Sequence, residues 1–393
     1  MPGRALLVIG PEPPPFTGME IATRALLEEL DAAGWAYVRV DTADPHDELS
    51  GRGRWSRHNV RKALVDLRAA MSLCFFSGRV RAMYIPIAQE FPGLFRDLTF
   101  IAVAIVSRRP FIIHLHGGSF CEFFRSQSFL VRRAIRALVG RAALGIVLTD
   151  TLRPALSCAL SEQRIVVVPN GVDLSPTPVA ARSHEGTGPV RLLFFSSLLP
   201  SKGSLIFLEA LALLRRTHEN VVATVAGTWP SEEIRNETVE HTERLGIAEL
   251  VTFEGAVYGP AKQDVFMQAD IFCLPSHYPQ EGQPLVVLEA MAAELPVVAT
   301  AWRGIADTVV DGVTGFLVPI SDPVAVSNKL AELVDDPDLR RRMGAEGRRR
   351  HEAHFTQKAF GARMLQVLEP WASMADGPAS DARLNRLDRR VTP

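Results

Sequence analysis

Short runs of β-branched and aliphatic residues alternate with amphipathic helical stretches along most of this chain. A strand, a helix and a second strand in that order make a parallel crossover unit, so the sheets are expected to be parallel with helices covering them. Strands are predicted at residues 5–9, 37–40, 82–87, 111–115, 145–148 and 165–168, and again at 191–195, 221–226, 251–254, 271–274 and 296–300. Helices are predicted at 20–32, closed by Gly34, and at 205–217, 332–354 and 356–374. Between the two sets lies 175–189 (SPTPVAARSHEGTGP), rich in Pro, Gly and Ser and poor in apolar residues.

With 393 residues, the chain exceeds the length at which one hydrophobic core stops growing, so two domains are expected. We divide it into an N-terminal Rossmann-like domain (1–176), a linker (177–189), a C-terminal Rossmann-like domain (190–355), a helix returning to the first domain (356–374) and a disordered polar tail (375–393). An open parallel sheet binds ligands where its strands end at the carboxyl side, and two such sheets facing one another form a cleft.

Net charge −1 argues against a protein that coats nucleic acid. Residues 1–180 nevertheless carry 21 Lys/Arg against 16 Asp/Glu, leaving 22 against 28 for the rest. Cys74, Cys121, Cys158 and Cys273 are scattered, without CxxC or metal-ligand spacing, and read as reduced thiols in a cytosolic protein. The apolar run 98–106 is about half a membrane span, so no crossing of a bilayer is expected.

Three places can carry chemistry. Between strand 271–274 and the next helix stand Glu281 and Gly282, with Gln283 as a candidate helix cap, Pro284 at the first helical position and Glu289 in the second turn. A helix N-terminus attracts anions, and carboxylates beside it can accept hydrogen bonds from sugar hydroxyls; alternatively they only satisfy the helix dipole. Lys202-Gly203 stands at a strand-to-helix turn, where an ammonium and close backbone approach suit a phosphate, although an exposed helix-start lysine has the same pattern. His114 and His116 share one face of strand 111–115, without a third metal ligand nearby. GxGxxG, GxSxG and the Walker loop are absent, and Asp335-Asp-Pro-Asp338 reads as a capping turn between helices.

In this order the pieces resemble the retaining GT-B glycosyltransferases of family 4. Val168-Pro-Asn-Gly-Val-Asp173 looks like that family's segment before the linker, and Ser196–Lys202-Gly203 like its phosphate-binding turn. Glu281 to Glu289 looks like its Glu-x7-Glu motif, and Pro296-Val-Val-Ala-Thr300 with Asp311-Gly-Val-Thr-Gly-Phe-Leu-Val318 like the strand and turn that follow. The resemblance implies an α/β GT-B fold of two doubly wound Rossmann-like domains facing a cleft. It also implies a hexosyl transfer, with retention, from a nucleotide diphospho-sugar to an envelope glycan, glycolipid or exopolysaccharide acceptor. Lys202 would then neutralise the diphosphate and Glu289 hold the ribose. Glu281 and the amides after Gly282, those of Gln283 and Leu285 included, would hold the sugar. His116 would contact the sugar, and Gly18 and Gly203 would admit close backbone approach. No cofactor and no metal are implied.

One departure stands out: where the family often has Gly-Arg, this chain has Ser196-Ser197. A charge-assisted bond worth roughly 1.5–3 kcal/mol is missing there unless another cation compensates. Two further readings remain open, a non-catalytic sugar-nucleotide-binding protein and a GT-B epimerase. Segment 125–141 has no acidic residue and carries Arg125, Arg132, Arg133, Arg136 and Arg141; helical spacing puts Arg125, Arg132 and Arg136 near one face and Val131, Ile135, Leu138 and Ala142 towards another. Either the apolar stripe packs on the sheet beneath a solvated arginine face, or the helix docks a cytoplasmic protein peripherally on the inner, anionic face of a membrane.

Overall fold

A computed structural model describes residues 5–14, 17–43, 57–75, 80–174 and 188–371. The predicted linker, apart from Gly188 and Pro189, and the predicted tail lie outside them. Two compact units divide the chain: described residues up to Gly171 together with those from Gln357 form the first, and Val172–Thr356 form the second.

The first unit is one six-stranded parallel sheet of order β2-β1-β3-β4-β5-β6. Its strands are β1 (Ala5–Gly10), β2 (Tyr37–Asp41), β3 (Val80–Ile87), β4 (Phe111–Leu115), β5 (Leu144–Val147) and β6 (Ile165–Val167). The crossovers are α1 (Gly18–Ala32), α2 (Arg57–Phe75), α3 (Gly93–Val106), α4 (Phe120–Ser126), α5 (Phe129–Val139) and the short α6 (Arg153–Ser157). Strands β1, β3 and β4 are buried almost throughout because helices cover both faces, which explains their continuous apolar runs. The apolar run 98–106 belongs to α3, with Phe100, Ile101, Val103 and Ala104 buried in the core. No helix of the described residues is long and apolar enough to cross a membrane.

The second unit repeats the plan with β7 (Val190–Phe195), β8 (Val221–Ala226), β9 (Val251–Gly255), β10 (Ile271–Leu274), β11 (Val297–Thr300) and β12 (Gly315–Val318), in the parallel order β12-β11-β10-β7-β8-β9. Its helices are α7 (Ser204–Arg215), α8 (Glu232–Arg244), α9 (Gly259–Gln268), α10 (Leu285–Ala292), α11 (Ile305–Thr308), α12 (Pro323–Asp335) and α13 (Pro337–His354). The last helix, α14 (Gln357–Leu368), packs against α1 in the first unit, where Phe360, Met364 and Leu368 join its core.

Two expectations about helix starts are corrected. The helix expected over 332–354 is two helices, because Asp336 before Pro337 takes φ −116 and ψ 92 and caps α13 by accepting from Leu339 N–H at 2.8 Å. The acidic run 335–338 is that capping turn. Pro284 is not the first residue of α10 but stands just outside it with ψ 123, so Gln283 does not cap the helix. Its side chain instead donates from Nε2 to Thr308 Oγ1 at 3.1 Å.

Segment 125–141 is also interrupted: α4 ends at Ser126 and Ser128 opens α5. Ile135, Val139 and Ala142 are fully buried, and Val131 and Leu138 pack beside them. Arg136 reaches the Cys158 carbonyl at 3.2 Å and lies over the Phe124 ring. Phe129 and Leu130 stay outside this packing, 67% and 74% exposed.

Candidate functional site

In the second unit strand order reverses between β7 and β10, since β8 and β9 lie on one side and β11 and β12 on the other. The carboxyl ends of β7 and β10 therefore flank the switch point, where doubly wound sheets bind ligands. Ser196–Lys202 leaves β7 there, and 275–284 leaves β10 there.

Backbone contacts hold these two loops against each other. His277 N–H donates to the Ser201 carbonyl at 2.9 Å. Gly203 has φ +89, and a Cβ on it would lie 2.2 Å from the Pro275 carbonyl oxygen. The glycine that the sequence suggests for a phosphate is thus already demanded by packing inside the fold. Gly227, which sequence reasoning missed, is a parallel case: its φ is +143, and a Cβ would overlap the Ser196 carbonyl oxygen.

Lys202 and Glu281 lie 79 residues apart and meet here. Lys202 Nζ donates to both carboxylate oxygens of Glu281 at 3.0 Å, and stands 4.4 Å from the centre of the Tyr278 ring. Their side chains are only 13% and 5% exposed. Ser276 Oγ donates to Glu281 Oε2 at 2.6 Å. Thr300 Oγ1 donates to the Ser276 carbonyl, and Trp302 Nε1 donates to the Tyr278 carbonyl at 2.8 Å. Ser276, Tyr278, Thr300 and Trp302 escaped the sequence reading. Position two residues after β10 was a usable signal for Ser276, but nothing local marks Thr300 or Trp302.

Gly282 and Gln283 are buried beside Glu281, and Leu285 begins α10, in whose first turn Val287 N–H donates to the Pro284 carbonyl at 3.1 Å. Glu289, in the second turn of α10, binds Lys262 of α9 through Oε1 at 2.5 Å. Its Oε2 is buried without a hydrogen-bond partner among the described residues. Lys262 was not anticipated, since it lies 27 residues from Glu289 in sequence and in no motif.

In the first unit His114 and His116 stack at the carboxyl end of β4, ring centroids 3.9 Å apart. His114 is fully buried, with Nδ1 2.6 Å from the Tyr84 hydroxyl. Both ring nitrogens of His116 are covered and find no hydrogen-bond partner among the described residues. Burial lowers the His116 pKa to about 4. Burial first, and then the neighbouring His116, drive the His114 pKa well below the usual imidazole value. Gly18 starts α1, and among the described residues no atom beyond its chain neighbours lies within 4 Å of where its Cβ would be, so their packing does not demand glycine there. Among the described residues no group of three or more His, Cys, Asp or Glu could hold a metal ion.

Residues 180–350 match the sequence family described as glycosyl transferases group 1. Among similar proteins, the glycogen synthase of Mycobacterium tuberculosis is 29% identical over 241 residues, covering 61% of this chain and 55% of that protein. The D-inositol 3-phosphate glycosyltransferase of Thermobispora bispora is 34% identical over 217 residues, covering 52% and 50%. The chain thus spans about half the length of these curated relatives. Similar solved structures include Anabaena Alr3699/HepE in complex with UDP and glucose, with a TM-score of 0.72, 19% identity and coverage of 93% of this chain and 100% of that one. A glycosyltransferase from Rickettsia africae gives a TM-score of 0.75 at 16% identity, with coverage of 94% and 98%. At such identities these structures speak for the fold. Residues 180–350 are thus similar to the glycosyl transferases group 1, and the fold of the chain is that of the GT-B, family 4-like glycosyltransferases that its motifs resemble.

Proposed function

We propose that this chain is a retaining glycosyltransferase that moves a hexosyl group from a nucleotide diphospho-sugar to an envelope glycan, glycolipid or exopolysaccharide acceptor. The observation that carries this reading is the Lys202–Glu281 pair at the switch point beside the start of α10, with Oε2 of Glu289, unpartnered among the described residues, one helix turn further on. Nucleotide-bound solved relatives of the same fold support a nucleotide-sugar donor. On this reading the diphosphate meets Lys202, and the amides of Gln283 and Leu285, Pro284 having no N–H, hold the sugar. Glu281 exchanges part of its bond to Lys202 for sugar hydroxyls, and Oε2 of Glu289 accepts from the ribose. The transition state separates charge between the sugar ring and the departing diphosphate, and fixed positive groups stabilise the latter. Attack by an acceptor hydroxyl on the face that the diphosphate leaves, its proton passing to the departing phosphate oxygen, then retains configuration. For His116 the reading keeps an uncharged, hydrogen-bonding imidazole.

The test is a donor screen of UDP-, GDP- and ADP-sugars, with and without glycan and lipid-linked acceptors. Acceptor-dependent release of nucleotide diphosphate and a product of retained anomeric configuration are expected. Release without acceptor would favour the epimerase or hydrolase reading, and binding without turnover the non-catalytic one. Because Lys202 carries the charge stabilisation here, transfer in EDTA is expected to proceed at the untreated rate. Metal-reversible loss of all activity would overturn that part.

A lipid-linked acceptor is favoured by one surface observation. Phe129 and Leu130 are exposed at the start of α5, beside exposed Arg125 and Arg133 and half-buried Arg132. Each arginine near an anionic leaflet contributes about 1 kcal/mol, and inserted apolar side chains add to that. Co-sedimentation with anionic vesicles is expected to weaken with added salt and in Phe129→Ser/Leu130→Ser. Absence of binding at low ionic strength leaves only a solvated face.

A further inference from the structure

Lys262 lies on α9, and its Nζ is held at two points: 2.5 Å from Glu289 Oε1 and 5.2 Å from the centre of the Phe195 ring. Phe195 is the last residue of β7, and its ring stacks at 5.3 Å on Phe266 of the same helix α9. The ammonium is thus seated by the strand end and by its own helix, with the side chain 20% exposed. Glu289 is 8% exposed, and its second oxygen is buried without a partner among the described residues. A carboxylate with one oxygen fixed by a cation cannot rotate freely, so the other oxygen points in a single direction. A buried acceptor without a partner is costly unless a ligand donor meets it.

We propose that Lys262 is a positioning residue for the nucleoside part of the donor: by occupying Oε1 of Glu289 it aims Oε2 at the ribose hydroxyls. This rests on the donor reading above and adds a residue to it that no motif marks. It also separates the two lysines of this strand edge by task. Lys202 serves the diphosphate, whereas Lys262 acts through Glu289 on the ribose. The missing arginine at Ser197 is therefore not made good by Lys262, whose charge is already committed to Glu289.

Calorimetric titration of the full chain with UDP, GDP and ADP, with the 2′-deoxy counterpart of the tightest, and with inorganic pyrophosphate tests this. In Lys262→Met the ribonucleotide is expected to bind about tenfold more weakly, as loss of one charge-assisted contact implies. Pyrophosphate affinity stays unchanged, which also reports an intact fold, and the preference for ribo- over 2′-deoxynucleotide shrinks. Lys262→Arg restores most of both, and Lys262→Gln repeats the result should the methionine variant misfold. In steady-state transfer KM rises while kcat holds within about twofold, the signature of lost uniform binding. An undiminished ribose preference in the variants, or an equal loss of pyrophosphate binding, overturns the role of Lys262 alone. A wild-type chain that binds none of the nucleotides overturns the donor reading and this inference with it.

Discussion

Lys202→Ala is expected to lower sugar transfer by about a hundredfold or more, because about 3 kcal/mol of leaving-group stabilisation corresponds to that factor in rate. The same substitution also damages the fold locally. It leaves Glu281, 4% exposed, with Ser276 as its hydrogen-bonding neighbour and no ammonium. Removing one partner of a buried ion pair costs about 3–5 kcal/mol of stability. The two effects separate in a pair of variants. In Lys202→Met/Glu281→Gln the uncompensated charge is gone, so the urea midpoint should recover much of its loss while transfer stays low. Initial rates and urea unfolding on the three proteins check this. A Lys202→Ala enzyme with the wild-type rate would sink the assignment of Lys202 to the diphosphate.

Acidification from pH 7 to 4 is expected to destabilise the first unit through its paired histidines. His116 titrates at about 4 in the folded chain, against an imidazole value of about 6.5 when unfolded. Between those values the unfolded chain binds the extra proton and the folded one does not, so stability falls as pH falls. Below about 4 the folded chain takes up the proton too, and this contribution levels off. The window corresponds to a loss of about 3 kcal/mol for His116. His114, displaced in the same direction by burial, adds to it with the same sign. Since carboxylates also titrate in this range, the decisive comparison is the pH dependence of the urea midpoint in wild type and in His116→Gln. The variant should lose distinctly less stability on acidification. Identical slopes would show that His116 is readily protonated in the folded state.

Much of the fold was legible because parallel strands buried on both faces announce themselves as short apolar runs. Eleven predicted strands fall on β1 to β11 with ends shifted by at most about two residues, as expected of fraying element ends. The same local logic located the Glu281 loop, the Lys202-Gly203 turn and the capping role of the acidic run before α13. Where it failed, backbone conformation at two positions decided: Asp336, restricted by the following proline, breaks one expected helix into two, and Pro284 stands outside α10 because its own ψ is extended.

Pairing was beyond any such reading. Nothing near Lys202 indicates that its ammonium rests on Glu281 and Tyr278, or that Ser276, braced by Thr300 from β11, holds the same carboxylate. Nothing near Glu289 names Lys262. The arginine-rich stretch around α5 likewise carries one periodicity, while only packing decides that Ile135, Val139 and Ala142 enter the core and that Phe129 and Leu130 do not. Backbone preference and hydrophobic period act over a few residues, so local pattern was enough for the elements and the loops that bear charge. Which charges meet depends on strand order: β7 and β10 become neighbours only after two intervening strands, β8 and β9, are laid on the far side of β7. That long-range choice, made by burial of the whole sheet, brings the side chains of 202, 262, 281 and 289 to one edge.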